Sequence, residues 1–491
     1  MRGAARPNTT EGELDDHSKA RAVPAPRLGA PVRAVDQGDP TARGDHGDRD
    51  HGRQKWVASW ATSPATFFTY VAPPQPFVLT PGQPIQYAVA NIQPDLAFPF
   101  PNATTTGATA IDQTFRSIVK PDLWGKTIRI RFSNVFGSKP VTFRSVTVGL
   151  QEYSANVVND TLTAVSFNGS GSVTIQPGER AWSDPIRLWF VRDDDDRSLQ
   201  GRNLAVSYAV SGDSGPMTYH SGANQTSFIT AQGSGDHTWD EDAFAFQFTT
   251  TSWFFVETLD VKASSDTVVI CAFGDSITDG THTTLNINDR WMNVLSRRLH
   301  NAYGNKVSIV NEAIGGNRVV NPVVPNAASG PAAVDRLDRD VLGLSGLTHV
   351  IWMEGINDLG GAHTTDSIID GYKDVVSRLH AQGVKVYAGT LTSALGVFGV
   401  AFPTGDNGTA IDADRKVLND FIRTSGLFDG VEDFDGATLD PATGNMKDVY
   451  LPNSQFTQLP WDYLHPNHAG YNAMGLTVNI ARFSPHGHGH H

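Results

Sequence analysis

The hydrophobic pattern of this chain changes its period near residue 263, and that change limits the folds that the chain can adopt. From Lys55 to about Ala263, segments such as KTIRIRFSNV, VTFRSVTVGL and NLAVSYAVSG alternate branched or aromatic residues with polar ones. Gly, Asn, Asp and Pro separate these segments, and no helical pattern intervenes. Many short strands at this spacing are typical of an antiparallel sandwich. We therefore predict a β-sandwich domain over residues 55–263.

After residue 263 the strands become nearly continuous apolar runs. They are DTVVICAFGDS, KVSIVNEAIGG, THVIWMEGIND, KVYAGTLTS and GVEDFD, and amphipathic helical segments alternate with them. Strands of this kind are covered on both faces, as in a parallel sheet wrapped by helices. We predict a doubly wound α/β domain with five strands over residues 264–483. Ligands bind such sheets beyond the carboxyl ends of the strands, so those positions hold the candidate site residues.

The two ends of the chain differ from both domains in composition. Residues 1–54 are rich in Asp, Arg, Gly, Pro and His, and this composition predicts a disordered polar tail. Residues 484–491 form a His-rich tail, whose His486, His488, His490 and His491 could ligate a metal. Terminal His and Gly are more typical of a mobile tail or a tag remnant, so we predict no functional metal there. The acidic run Asp193 to Asp196 suggests either a calcium site or a solvated hairpin loop, and we favour the loop.

Charge and cysteine content exclude several classes of protein. Lys and Arg total 38 against 51 Asp and Glu, and the net charge of −13 argues against nucleic acid or an anionic membrane as the main partner. The one cysteine, Cys271, excludes an internal disulfide, and its place in an apolar strand predicts a small buried hydrophobe. No apolar run reaches the roughly 18 residues of a membrane span, and the start of the chain lacks a signal-peptide core. The sequence does not indicate an oligomeric state.

Small or hydrogen-bonding residues follow three of the predicted parallel strands. Ser276 ends FGDS, Gly315, Gly316 and Asn317 end NEAIGGN, and Gly355, Asn357 and Asp358 lie in MEGIND. The last loop, WDYLHPNHAGY, carries Asp462 and His465 three residues apart. That spacing on a turn lets an aspartate carboxylate reach the near nitrogen of an imidazole.

These residues compose an acyl-transfer site. A serine hydroxyl needs a base to become a good nucleophile, and a histidine suits that task near neutral pH. We predict Ser276 as the nucleophile, His465 as the base and Asp462 as the group that orients it. The backbone N–H groups of Ser276 and Gly316 and the side-chain amide of Asn357 are the predicted oxyanion donors. We predict no cofactor and no metal at this site.

Each residue also has an ordinary explanation. Gly-Asp-Ser is a common turn, Asn357 could cap a helix, and His465 precedes a proline in a loop. The argument depends on the conjunction, because all the groups fall at strand ends or in the final loop. Asp275 is predicted to support the turn that presents Ser276.

A metal phosphoesterase is an alternative use of the first strand end. Asp275, Asp279 and His282 offer oxygen and nitrogen ligands there. No paired carboxylates or His-x-His set accompany them at the other strand ends, so we rank this alternative lower. Trp291 and Trp352 are predicted to belong to the core rather than to a substrate platform.

The chain resembles the SGNH or GDSL hydrolase family block by block over roughly residues 267–483. FGDSITDG is similar to the nucleophile block, NEAIGGN to the glycine block, GIND to the asparagine block and DYLHPNHAGY to the aspartate and histidine block. The resemblance implies a three-layer α/β/α fold with a flavodoxin-like sheet, and hydrolysis of carboxylic esters through an acyl-serine without a cofactor. His468 departs from the family, where its position is more often acidic. The spacing from Asp462 assigns the base to His465.

The region before residue 264 resembles a subgroup of largely extracellular microbial members with an N-terminal β domain. WVASWATSP and TIRIRFSNVFGSKPVTF carry this second resemblance. It implies an extracellular location, although no export signal is visible in the sequence.

The substrate is less constrained than the reaction. Small residues at the strand ends, the absence of a long apolar lid and the attached β-sandwich favour acetyl or similarly short esters, including esters on carbohydrates. A lipase or lysophospholipase is the alternative within the class. A non-catalytic carbohydrate-binding or adhesion protein with a vestigial site is the alternative outside it.

Overall fold

The structure is a computed structural model. It describes residues 53–66, 109–193, 197–321, 329–361, 363–396, 408–452 and 462–485. Most of the N-terminal tail, three of the four acidic residues after Arg192 and the terminal histidines lie outside the described residues, so those predictions remain predictions.

Short antiparallel strands make up the first part of the described chain, up to Ser264. In chain order they are β1 (Gln54–Ala61), β2 (Ala65–Thr66), β3 (Thr109–Ile111), β4 (Thr114–Val119), β5 (Thr127–Ser133), β6 (Val141–Leu150), β7 (Thr163–Ala164), β8 (Val173–Ile175), β9 (Arg180–Trp182), β10 (Ile186–Arg187), β11 (Leu204–Ser211), β12 (Asp213–Pro216), β13 (Thr218–His220), β14 (Ser227–Ile229), β15 (Phe248–Thr250), β16 (Trp253–Phe254) and β17 (Val256–Ser264).

Two of the antiparallel sheets pack face to face. One has the order β1-β17-β5-β10 with β9 also on β5, and the other has the order β15-β14-β4-β11-β6-β7 with β8 also on β6. Their inner faces meet through aromatic rings, because Phe132 of the first sheet lies 5.1 Å from Phe143 and 5.4 Å from Tyr208 of the second. The alternating pattern of the sequence therefore predicted this β-sandwich correctly, since every second residue of such strands faces the core.

The second part of the described chain alternates parallel strands with helices. The strands are β18 (Val268–Gly274), β19 (Val307–Ala313), β20 (Leu347–Met353), β21 (Lys385–Gly389) and β22 (Gly430–Glu432). The helices are α1 (Ser276–Asp279), α2 (Trp291–Tyr303), α3 (Ala333–Arg336), α4 (Ile356–Gly360), α5 (Thr365–Ala381), α6 (Thr409–Thr424), α7 (Phe434–Thr438) and α8 (His468–Thr477). Leu337–Val341 continues α3 as a π-helical turn.

The parallel sheet has the order β19-β18-β20-β21-β22. Numbered by chain order, this is 2-1-3-4-5, the flavodoxin-like order whose switch point lies between the first and third strands. The predicted fold class is confirmed. Cys271, Trp291 and Trp352 are buried, as the sequence predicted. Among the described residues, no helix combines the length and apolarity that crossing a membrane requires.

The sandwich covers the edge of the parallel sheet. Strand β1 lies beside the edge strand β19, and Ser308 Oγ donates to the carbonyl oxygen of Ala58 at 2.7 Å. The Asp122 carboxylate accepts the backbone N–H of Ile309 at 2.8 Å. An uncovered sheet edge presents unpaired backbone groups, so these contacts satisfy groups that would otherwise invite pairing with another chain.

Candidate active site

Ser276 lies at a tight turn between β18 and α1. Asp275 caps α1, because its carboxylate accepts the backbone N–H of Ile277 at 3.0 Å. At Gly274 a Cβ atom would lie 2.3 Å from the carbonyl oxygen of Met353, so only glycine fits this close approach. The strand therefore ends on glycine and the helix begins on serine, which places the hydroxyl at the carboxyl end of the sheet.

Three predicted catalytic side chains form one hydrogen-bonded series. Ser276 Oγ lies 2.7 Å from Nε2 of His465, and Nδ1 of the same ring lies 2.6 Å from Oδ2 of Asp462. The other carboxylate oxygen, Oδ1, accepts the backbone N–H groups of Leu464 and His465 at 2.8 and 2.9 Å. The turn thus fixes the aspartate, the aspartate fixes the imidazole, and Nε2 faces the serine.

Burial and charge act in opposite directions on this series. Burial disfavours the imidazolium of His465, but the neighbouring Asp462 carboxylate outweighs it and raises the pKa of His465 above its ordinary value. Burial alone would raise the pKa of Asp462, yet His465 and His282 together hold that pKa well below its usual range. The carboxylate therefore stays ionised and favours the proton that the imidazole takes up during catalysis.

Two backbone N–H groups are available as oxyanion donors. Within the part of the chain that the structure describes, neither the N–H of Ser276 nor that of Gly316 meets a hydrogen-bond acceptor. Gly316 has φ of 75°, a left-handed conformation that favours glycine, and a Cβ atom there would also lie 2.8 Å from Ser329 Oγ.

The third predicted donor, Asn357, lies at the start of α4 after β20. Its Nδ2 donates to the carbonyl oxygen of Asn317 at 3.0 Å, next to Gly316. An amide nitrogen carries two N–H bonds, so one remains for a substrate. The turn after β19 is also tied to α1, because Asp279 Oδ2 accepts the N–H of Gly315 at 3.1 Å. Direct hydrogen bonds therefore connect the nucleophile, glycine and asparagine blocks.

The candidate site lies within a segment that matches a known protein family. The sequence model of the GDSL-like Lipase/Acylhydrolase family matches residues 272–473, which contain every predicted site residue. Residues 272–473 are a GDSL-like lipase/acylhydrolase domain. Membership of this family implies that the GDSL domain is a hydrolase that acts on esters. No curated protein matches the chain significantly.

Solved structures similar to the GDSL domain come from several bacteria. The lipase/acylhydrolase from Enterococcus faecalis is 20% identical, with a TM-score of 0.33, over 44% of this chain and 97% of that one. A GDSL-like lipase from Bacteroides thetaiotaomicron is 16% identical, with a TM-score of 0.32, over 44% and 87%. A member of the lipolytic G-D-S-L family from Veillonella parvula is 18% identical, with a TM-score of 0.30, over 43% and 95%.

Arg336 is a buried residue of the GDSL domain that sequence reasoning missed. Its guanidinium donates to the carbonyl oxygens of Gly274 at 3.0 Å and Glu312 at 2.6 Å, and to Oδ1 of Asn317 at 2.8 Å. It thereby ties the strand before the serine to the turn that carries Gly316. An arginine within a short helical segment carries no local signal for this role, because its partners come from other elements.

The β-sandwich also contacts the helix that begins at the serine. His220 at the end of β13 places Nε2 3.0 Å from Oδ1 of Asp279 and Nδ1 2.9 Å from the carbonyl oxygen of Ser63. Asn224 Nδ2 donates to the carbonyl oxygen of Gly280 at 3.0 Å. Side chains of the N-terminal region therefore contact α1 of the GDSL domain and the residue after it. These contacts join distant parts of the chain, and no sequence motif predicts them.

The three residues of the metal phosphoesterase alternative have separate partners. Asp275 caps α1, Asp279 contacts His220 and Gly315, and His282 contacts Asp462. Burial, followed by the charge of Glu354, raises the pKa of Asp275 to about 7. The geometry therefore gives Asp275 a capping role in the turn and offers no site made of Asp275, Asp279 and His282.

His282 and His468 are two further histidines near the predicted base, and they differ in position and exposure. His468, at the first position of α8, is exposed. His282 follows α1 with φ of 66°, and its Nε2 lies 2.9 Å from Oδ2 of Asp462. Among the described residues, His282, Asp462 and His465 form the one group of three whose ligand atoms lie close enough together to hold a metal ion. The sequence drew attention to His282 only as part of the phosphoesterase alternative.

Proposed function

We propose that the protein is a serine esterase that hydrolyses short-chain carboxylic esters through an acyl group on Ser276. The observation that carries this proposal is the series Ser276 Oγ, His465 and Asp462, with contacts of 2.7 and 2.6 Å. This geometry matches the roles of a nucleophile, a general base and an orienting carboxylate.

We infer the course of the reaction from the positions of these atoms. Ser276 Oγ attacks the carbonyl carbon of the ester while its proton passes to Nε2 of His465. The oxyanion that forms meets the N–H groups of Ser276 and Gly316 and the amide of Asn357. Collapse of this intermediate breaks the bond to the alcohol oxygen, which takes the proton from His465. Water then repeats the sequence, releasing the acid and restoring the serine.

We propose acetyl and similarly short acyl groups as the preferred substrates, including acetyl esters on carbohydrates. Support comes from the small residues at the strand ends, among them Gly315, Gly316 and Gly355, and from the β-sandwich that accompanies the hydrolase domain. A lipase or lysophospholipase activity is the alternative within the class. The extracellular location remains a proposal from resemblance, and recovery of the protein in the culture medium of the producing organism would test it.

Replacement of the serine tests the reaction. We expect Ser276→Ala to lower turnover of p-nitrophenyl acetate by several orders of magnitude, because single losses within such a triad abolish most of its effect. Ser367→Ala, at a half-buried position in the first turn of α5, is the matched control and should keep wild-type turnover. A fluorophosphonate probe should label wild type and not Ser276→Ala. Near wild-type turnover in Ser276→Ala, or an unlabelled folded wild type, contradicts the proposal and favours a non-catalytic binding protein.

An acyl-chain series tests the substrate class. We expect kcat/KM to fall from p-nitrophenyl acetate through butyrate and octanoate to palmitate, and acetate to be released from acetylated xylan. A maximum at octanoate or palmitate would favour the lipase alternative while leaving the role of Ser276 intact.

A further inference from the structure

His282, Asp462 and His465 converge on one point beside the catalytic serine. His282 Nε2 and His465 Nδ1 lie 2.9 and 2.6 Å from the same oxygen, Oδ2 of Asp462. The ligand atoms of the three side chains all lie within 4.8 Å of one another. The side chains are 18%, 18% and 16% exposed, so an ion from solvent can reach them.

Two imidazole nitrogens and one carboxylate oxygen are ligands that zinc takes in proteins. With bonds of about 2.0–2.1 Å, neighbouring ligand atoms of a tetrahedral zinc ion lie roughly 3.3–3.4 Å apart. The two contacts to Oδ2 of Asp462 are shorter because hydrogen atoms now occupy them, so each imidazole needs to move away from that oxygen by roughly 0.4–0.8 Å to admit an ion. Backbone N–H groups hold Oδ1 of Asp462, which leaves Oδ2 as the ligand atom. Water would complete the fourth position.

We propose that these three residues form an inhibitory site for Zn²⁺ or a similar transition-metal ion, and that an ion bound there switches off the esterase activity proposed above. Coordination takes the lone pair of Nδ1 of His465, so the ring proton moves from Nδ1 to Nε2. Nε2 then carries a hydrogen toward Ser276 Oγ and has no lone pair to accept the serine proton. The ion also occupies Oδ2 of Asp462, which would otherwise stabilise the imidazolium. The nucleophile is left without its base.

His282 distinguishes this site from an ordinary catalytic series. His465 and Asp462 alone supply two ligands, whereas His282 adds a third from the loop after α1, 180 residues away in the chain from Asp462. The variant His282→Gln keeps an amide N–H within reach of the aspartate and removes the imidazole ligand. His468→Gln removes an exposed histidine at the start of α8 and is the matched control.

The experiment measures inhibition and binding separately. All proteins carry His486→Ala, His488→Ala, His490→Ala and His491→Ala, since terminal histidines also bind metals. We expect micromolar Zn²⁺ to inhibit p-nitrophenyl acetate hydrolysis, and EDTA to restore it. Inhibition of His282→Gln is measured relative to that variant's own uninhibited rate. Its inhibition constant should rise at least about tenfold, because loss of even a residue that only hydrogen-bonds to a metal ligand weakens metal binding by about tenfold or more. His468→Gln should keep the inhibition constant of the parent.

Calorimetry of Zn²⁺ binding gives a readout that needs no turnover. We expect one site per chain in the parent and in Ser276→Ala, and at least tenfold weaker binding in His282→Gln. Esterase activity that Zn²⁺ does not inhibit, or equal inhibition of parent and His282→Gln, overturns the metal site and leaves the esterase proposal standing. Binding by Ser276→Ala together with an inactive parent would support the metal site and contradict the esterase.

Discussion

At the scale of single residues, the site depends on how its surroundings set the pKa values of His465 and Asp275. His465 lies between the hydroxyl of Ser276 and the carboxylate of Asp462, and the carboxylate raises its pKa despite burial. Asp275, one residue before the nucleophile, has its pKa raised to about 7 because burial disfavours its charge. The site thus combines a base with strengthened affinity for protons and an acid that is reluctant to ionise.

The raised pKa of His465 predicts the pH dependence of catalysis. The imidazole accepts the serine proton only when it is unprotonated, so activity should increase as pH rises through its pKa. Because that pKa lies above the ordinary value of 6.5, the midpoint of the acid limb of kcat/KM should also lie above 6.5. A pH profile with p-nitrophenyl acetate measures it, and His468→Gln should give the same midpoint. A midpoint below 6.5 contradicts this reading of the site.

The raised pKa of Asp275 predicts the pH dependence of stability. Between the unfolded value near 3.8 and the folded value of about 7, the folded chain binds more protons at this group than the unfolded chain does. Stability from this group is therefore present below pH 3.8 and declines as pH rises to about 7. We expect Asp275→Asn, which keeps an oxygen to cap α1, to show a smaller decrease in Tm between pH 5 and pH 8.5 than wild type. The exposed Asp370→Asn should change as wild type does, and an equal decrease in Asp275→Asn would contradict the prediction.

At the scale of elements, the ends of β18 and β19 are held in register by α3 rather than by the sheet alone. Arg336 of α3 is fully buried and bonds to a carbonyl at the end of each strand. Its guanidinium also lies 3.5 Å from Asp340 and 3.8 Å from Glu354. Buried acids of this kind depend on their cation, because an unpaired buried charge is costly.

Removal of this cation should therefore cost both stability and activity. We expect Arg336→Gln to lower the free energy of unfolding by about 3–5 kcal/mol, the usual cost of breaking a buried charge pair. Urea unfolding near neutral pH measures the change. Arg297→Gln, at an exposed position of α2, should stay within about 0.5 kcal/mol of wild type. A similarly small change in Arg336→Gln would show that the strand ends do not depend on it.

At the scale of the whole described chain, the sandwich and the parallel sheet share one continuous buried core. That core includes Val57 of β1 together with Val310 of β19, and polar contacts such as His220 to Asp279 cross the same boundary. The division of the chain at residue 263 remains a prediction about domains, while the antiparallel architecture gives way to the parallel one between Ser264 and Val268.

A shared core predicts a single cooperative unfolding transition. Seven of the ten tryptophans precede Ser264, so their fluorescence reports mainly on the sandwich. Helices α1 to α8 all follow that residue, so the circular dichroism signal at 222 nm reports mainly on the hydrolase domain. We expect the two signals to change together on heating or in urea, since coincident transitions mark two-state behaviour. Separate midpoints would mean that the two parts unfold independently.

The sequence by itself determined the two architectures and the residues of the candidate site. The alternating pattern and the continuous apolar runs are local properties of the sequence. The carboxyl ends of parallel strands meet at one edge of the sheet, so Ser276, Gly316 and Asn357 could be placed at that edge in advance. Three-residue spacing likewise brought Asp462 to His465 rather than to His468. Each of these inferences uses only neighbours in the chain or a rule of the fold.

Only the tertiary structure decided what surrounds that site. Arg336 lies across the strand ends, His220 contacts α1, and His282 contacts the same oxygen of Asp462 as His465 does. These three residues come from segments distant in sequence, and none belongs to the motifs of the acyl-transfer site. Their side chains act through direction and burial, which depend on how the sandwich packs against the sheet edge. Local patterns carry no record of such contacts, because the free energy that selects them arises when distant elements exclude water together.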